Sequence, residues 1–195
     1  AIVLLGHNTD ELGGSEYLKV IHGKVAGDAP AVDLEAERAL QEAMLELADA
    51  GLARSAHDAA EGGLAVCLAE SAIRDAERPF GVDVVLEDDL AVVPLLFGEA
   101  QGRIVVSCDP ARVEEVLAVA ERHGVPAARI GTVGEAGGRF EVRTAGGSGI
   151  DAAVGELAEA YYQAIPRIMD GSAATEAADE RRYAAREAAR PSIRS

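Results

Sequence analysis

A chain of 195 residues, 49% hydrophobic and 27% charged, is long enough to bury one substantial core and carry a short appended segment. Its formal net charge of -16 sets it against nucleic acid and anionic membrane surfaces, and with no Trp and only seven Phe and Tyr it lacks platforms for stacked bases. No run approaches the roughly 20 apolar residues that cross a bilayer.

The charge is uneven. Residues 171–195 hold five arginines against four acids, which leaves -17 on the first 170. Cys67 and Cys108 are isolated inside apolar runs and read as buried reduced thiols, the usage of a cytoplasmic protein. The start, "AIVLLGHNTD", has no basic leader and no methionine, so the chain reads as a non-exported fragment of something longer.

In chain order, "IVLLG" is a short buried strand and His7 to Glu11 a polar loop. "LGGSEYLKVIHG" is a glycine turn leading into a short helix that ends near Gly23, followed by a loop over 24–32. From Asp33 to Ala50 the spacing of Leu40, Met44, Leu47 and Ala48 predicts a helix, capped by Asp33, favoured by Glu35 and Glu37 in its first turn and stopped by Gly51. A short strand is expected over 52–56. Leu64, Cys67, Leu68 and Ala72 then mark one face of a helix that Gly62 and Gly63 precede.

"GVDVVL" alternates as a strand, and "LAVVPLLFGE" is a helix or an extended segment around Pro94. "GRIVVSC" is the clearest buried strand. Asp109 and Pro110 open a helix whose Val113, Val116, Leu117 and Ala120 face inward until His123 and Gly124. "ARIGTVGEAGGRFEVRT" reads as an edge hairpin about a glycine turn, and a last helix is expected over 151–169. Mixed strands and helices with a local hairpin give an α+β fold rather than a doubly wound sheet, with one domain over 1–170. The Ala-, Glu- and Arg-rich segment 171–195 is a solvated helical or disordered tail.

Two stretches carry chemistry. In "DELGGSEYLK", Gly13 and Gly14 with Ser15 let the backbone present several N–H groups to a phosphate, or they are a turn device, since Asp10, Glu11 and Glu16 repel an anion. In "AHDAAEGGLAVCLAE", Asp58 and Glu61 are hard ligands for Mg²⁺, His57 a donor to phosphate, and Gly62 and Gly63 permit close approach. The alternative makes the acids helix caps and the glycines packing accommodations. His22 and His123 sit near helix ends without metal-ligand spacing, and neither Ser15 nor Ser55 lies in a G-x-S-x-G elbow.

"IVLLGHNTDELGGSEYLKVIHG", "ARSAHDAAEGGLAVCLAESAI" and "PLLFGEAQGRIVVSC", in that order, resemble the C-terminal domain of the synthetase subunit of phosphoribosylformylglycinamidine synthase, the PurL family. The resemblance runs from Ile2 to about Met169. Aminoimidazole ribonucleotide synthetase, selenophosphate synthetase, thiamine-monophosphate kinase and a hydrogenase maturation factor share the domain type. The resemblance implies a mixed, largely antiparallel sheet packed with helices, as in the C-terminal domain of PurM. It implies an ATP- and Mg²⁺-dependent ligase that turns formylglycinamide ribonucleotide and glutamine-derived ammonia into formylglycinamidine ribonucleotide.

Also implied are upstream domains of the same polypeptide that hold the catalytic residues, so this fragment is inactive alone. A glutaminase (amidotransferase) subunit and a small bridging subunit are the implied partners. By internal duplication, Asp58 corresponds to a Mg²⁺-binding aspartate, and Glu99-Ala100-Gln101 to a Glu-Ser-Gln stretch that contacts the ribonucleotide. Ala100 lacks that serine's hydroxyl, so Gly13, Gly14, Ser15, His57, Gly62, Gly63, Glu99 and Gln101 form either a second nucleotide pseudo-site or a structural remnant. A domain of one of the sister synthetases or kinases, or a non-catalytic acidic interaction module, are the alternatives.

Overall fold

The computed structural model describes residues 1–170. Seven strands form one sheet: β1 (Ile2–Leu5), β2 (Ser55–Asp58), β3 (Phe80–Leu86), β4 (Ile104–Ser107), β5 (Ala127–Ala136), β6 (Arg139–Thr144) and β7 (Gly149–Ala153). The helices are α1 (Glu16–His22), α2 (Leu34–Asp49), α3 (Gly63–Ile73), α4 (Val92–Phe97), α5 (Val113–Arg122), α6 (Val154–Tyr162) and α7 (Ala164–Met169), with a 3-10 turn at Pro110–Arg112. The strand order is β2-β4-β1-β5-β3-β6-β7, antiparallel throughout except for β3 beside β6. The expected α+β class with a mixed, largely antiparallel sheet is the class observed.

Period-2 alternation on β1 explains why the sheet is covered on both sides. Ile2 and Leu4 join a core with Leu64, Leu68, Leu95, Leu96 and Val154 from α3, α4 and α6. Val3 and Leu5 point the other way, into a core with Leu40 and Leu47 of α2 and Val116 and Val119 of α5. Asp33 caps α2 by accepting from Glu35 N–H at 2.9 Å and Ala36 N–H at 3.1 Å. Asp109 caps the Pro110 turn by accepting from Ala111 N–H at 3.0 Å. Pro94 falls in the first turn of α4, where its missing N–H costs nothing, so the middle of the 90–99 segment, Val92–Phe97, is helical rather than extended.

Three expectations are corrected. The strand placed over 52–56 lies at Ser55–Asp58 because Leu52 is used otherwise: it is buried in the α2–α5 core, its N–H on Leu47 O at 2.9 Å. His57 and Asp58 are therefore strand residues, paired with Val105 and Ile104. The last helix begins at Val154, since 149–153 pair with β6, and it breaks between Tyr162 and Ala164.

The third correction concerns the hairpin over 128–144. β5 and β6 are both present and joined by Gly137 and Gly138, but β3 lies between them. Strands two apart are separated by about 9.6 Å, and three Cα steps reach about 11 Å, so the link just crosses the start of β3. Gly137 N–H bonds Pro79 O at 2.8 Å as it passes. A side chain on Gly81 would stand 3.1 Å from Arg139 O and 3.3 Å from Glu135 O. The insertion puts Val82 beside Phe140 and Val84 beside Val142 under one helix layer, burying more apolar surface than a two-stranded edge hairpin. The true edge hairpin is β6–β7.

Both cysteines are free and buried, as expected. Among the described residues no helix is long and apolar enough to cross a membrane. The tail expected over 171–195 lies outside the described residues.

Candidate functional site

Two of the singled-out segments, the start of α1 and the turn before α3, meet at the turn between α4 and β4, residues 98–103. One oxygen of Glu99, Oε1, accepts from Glu16 N–H and from Gly62 N–H, each at 2.8 Å. It thus joins the start of α1 to the turn before α3, two segments 46 positions apart in the chain. Ser15 is buried and serves as the N-cap of α1, its hydroxyl accepting from Leu18 N–H at 3.4 Å and donating to Leu12 O at 2.7 Å.

The turns press together backbone to backbone, which is why glycine stands at the contacts. A side chain on Gly63, at φ 71°, would lie 2.6 Å from Gly98 O, and one on Gly98 would lie 2.5 Å from Glu11 O. Gly13 packs in the same way against Asp28 O, at 2.2 Å from a side-chain carbon.

Beneath the turn lies Arg103, 3% exposed. Its guanidinium donates to Gly98 O at 2.6 Å, Ala100 O at 3.3 Å and Asn8 Oδ1 at 3.1 Å, gripping the residues on either side of Glu99. Burial lowers its pKa below the ordinary arginine value, with nearby acids opposing the shift.

The second stretch is laid out differently. His57 is half-buried, with Nδ1 2.8 Å from Asp58 O and Nε2 3.2 Å from Glu70 Oε2, so both ring nitrogens face acceptors. The Asp58 side chain is 75% exposed and Glu61 is exposed. Gln101 is exposed too, its amide 3.5 Å from Glu99 O. Among the described residues no group of three or more His, Cys, Asp or Glu side chains converges as for a metal ion.

The structure therefore joins Ser15, Gly62, Gly63 and Glu99 around the 98–103 turn, with Gln101 bonded to Glu99 O, while Gly13 and Gly14 pack against the 26–28 loop and His57, Asp58 and Glu61 stand apart. The donors a phosphate would need at Glu16 and Gly62 are taken by a carboxylate, and the two outer acids lack a third ligand. The residues present do not fit a self-contained nucleotide or Mg²⁺ site. Sequence reasoning missed Arg103, Asn8 and Glu70. The signal for Arg103 was a charged residue opening the clearest buried strand; Asn8 and Glu70 gave none, because their partners are distant in sequence.

Residues 1–143 match the family described as AIR synthase related protein, C-terminal domain. The chain is 45% identical over 181 residues to the phosphoribosylformylglycinamidine synthase subunit PurL of Symbiobacterium thermophilum, a match covering 87% of this chain and 23% of that protein. Two solved structures from Thermotoga maritima share the fold. "T. maritima PurL complexed with ATP" superposes at TM-score 0.60 and 23% identity, and the PurLQS structure at 0.63 and 24%. Each match covers 80% of this chain and 25% of the other. The chain thus spans about a quarter of the relatives it resembles, and through residues 1–143 it belongs to the AIR synthase related protein, C-terminal domain family.

Proposed function

We propose that this chain works as the C-terminal domain of a PurL-type ligase, which makes formylglycinamidine ribonucleotide from formylglycinamide ribonucleotide, ammonia and ATP in the cytoplasm. The observation that carries this reading is the 45% identity over most of the chain to a PurL subunit. The glycine turns and the 98–103 turn, which the fold locks together, fall inside the part that matches the family. The domain supplies a rigid wall and no bond-making group. Nucleotide and Mg²⁺ are handled by upstream domains, and Asp58 and Glu61 take a metal only with ligands from outside this chain. The glutaminase and small bridging subunits, the Q and S of the PurLQS assembly, are its proposed partners.

The test is a graft. The 195-residue chain alone, given formylglycinamide ribonucleotide, ATP, Mg²⁺ and ammonium, is expected to form no ADP above background. Fused in place of the corresponding segment of the Symbiobacterium PurL, it is expected to restore ammonia-dependent ADP formation to within about tenfold of the parent, a loss of under ~1.4 kcal/mol in barrier. Turnover by the isolated chain, or a folded but silent graft, overturns the proposal.

A further inference from the structure

The geometry points to Glu99 as a resident anion: a positioning residue whose one carboxylate oxygen locks the start of α1 to the Gly62 turn and closes both N–H donors to phosphate. This inference rests on the chain's own geometry and stands whether or not the ligase reading holds.

Three observations carry it. A carboxylate oxygen has lone pairs for two N–H donors, and Glu99 Oε1 receives two, at 2.8 Å each, from Glu16 and Gly62. Backbone N–H groups at glycine turns are the donors that cradle a phosphate elsewhere, so occupancy by a carboxylate removes them from use. The backbone that carries Glu99 is also held in place. Arg103, buried, holds Gly98 O and Ala100 O on both sides of Glu99, and Gly98 is pressed between Glu11 and Gly63. An anion in solution competes with a tethered carboxylate already held in place, whose effective concentration lies far above millimolar.

The local charge works in the same direction. Lys19, the cation of α1, is raised above its ordinary pKa chiefly by Glu16, with Glu61 and Glu99 adding to the effect. An incoming phosphate meets these carboxylates as well as the lysine. The Glu99 position, which the resemblance assigns to ribonucleotide contact, is thereby given an inward task in this chain.

The test follows amide exchange and chemical shifts in the folded 195-residue chain. In the wild type, the Glu16 and Gly62 amides are expected to be protected and to stay unshifted by inorganic phosphate or Mg-ADP at about 10 mM, because their acceptor is already in place. Glu99→Ala is expected to speed exchange at both amides together by about tenfold or more, the loss of a charge-assisted bond. Glu99→Gln, which keeps an acceptor oxygen at the same reach, is expected to restore most of the protection. Phosphate or Mg-ADP shifting the wild-type Glu16 and Gly62 amides overturns the inference. So does a Glu99→Ala protein in which the two turns respond separately or not at all. Should Glu99→Ala fail to fold, the wild-type titration and Glu99→Gln decide: Glu99→Gln amides as fast as free peptide overturn it as well.

Discussion

Single residues in this domain do their work through what they neutralise. Arg103 is a buried cation whose charge is met by carbonyl and amide oxygens rather than by an acid, which remains favourable because a guanidinium keeps its proton and spreads five donors in a fixed fork. Cys67 is the opposite case. Burial pushes its thiol up to about 12 from an ordinary 9.0, with Asp58 and Glu70 adding to the rise, so the folded chain holds it as an inert thiol. In the unfolded chain the same thiol ionises near its ordinary value. Below that value neither state has lost the proton and the contribution to stability is full. Between about pH 9 and pH 12 only the unfolded state releases a proton, so this thiol makes folding stability fall by up to about 1.4 kcal/mol per pH unit. Urea unfolding of wild type and Cys67→Ala across that range measures it. The difference between the two is expected to shrink as pH rises, and a constant difference would remove Cys67 as the source.

At the scale of elements, glycines set where strands can lie against each other. Gly131 of β5 faces β3 so closely that a side-chain carbon would stand 2.1 Å from Asp83 O and 2.9 Å from Val84 Cα. Neither backbone atom can move without opening the ladder. Gly131→Ala is therefore expected to cost on the order of 3 kcal/mol in urea titrations. Gly155, inside α6 with open space around it, makes the paired control: alanine there is expected to stabilise by about 0.5–1 kcal/mol. Equal effects at the two sites would show that close approach does not govern the sheet. These contacts also mark the border of what the sequence discloses. Helix periodicity and caps were legible, because Asp33, Asp109 and the spacing of Leu40 and Leu47 act over a few residues. The place of β6 was not, since nothing in "GEAGGRF" says that the start of β3, some 57 residues earlier, passes between the two strands. The candidate site divides likewise. Its glycines were visible, but the bond from Glu99 to Gly62 spans 37 positions and reverses the meaning of the turn.

For the molecule as a whole, the sheet is covered unevenly and the charge is carried on what is left open. α2 and α5 cover the β4–β1 half of one face, while Asp83 and Val85 of β3 stay exposed on that side. There Arg143 pairs with Asp83 and with Glu141, a cross-strand cluster on a solvated half-face. Such exposed pairs contribute between about 0 and 1 kcal/mol each and are weakened by salt. Against them stands the self-repulsion of residues 1–170, which carry 17 more acids than bases and which folding compresses into a small volume. Salt acts on both, but not equally. Pairs in contact are only partly screened, whereas repulsion summed over the molecule acts across distances that shrink from about 30 Å at 0.01 M to about 8 Å at 0.15 M ionic strength. Repulsion is thus the contribution that salt removes first. Raising NaCl from about 10 mM to about 150 mM at pH 7 is expected to increase unfolding free energy by about 1 kcal/mol, read as a higher urea midpoint with unchanged slope. A midpoint that falls over the same range would mean that the ion pairs of the open half-face outweigh the net charge.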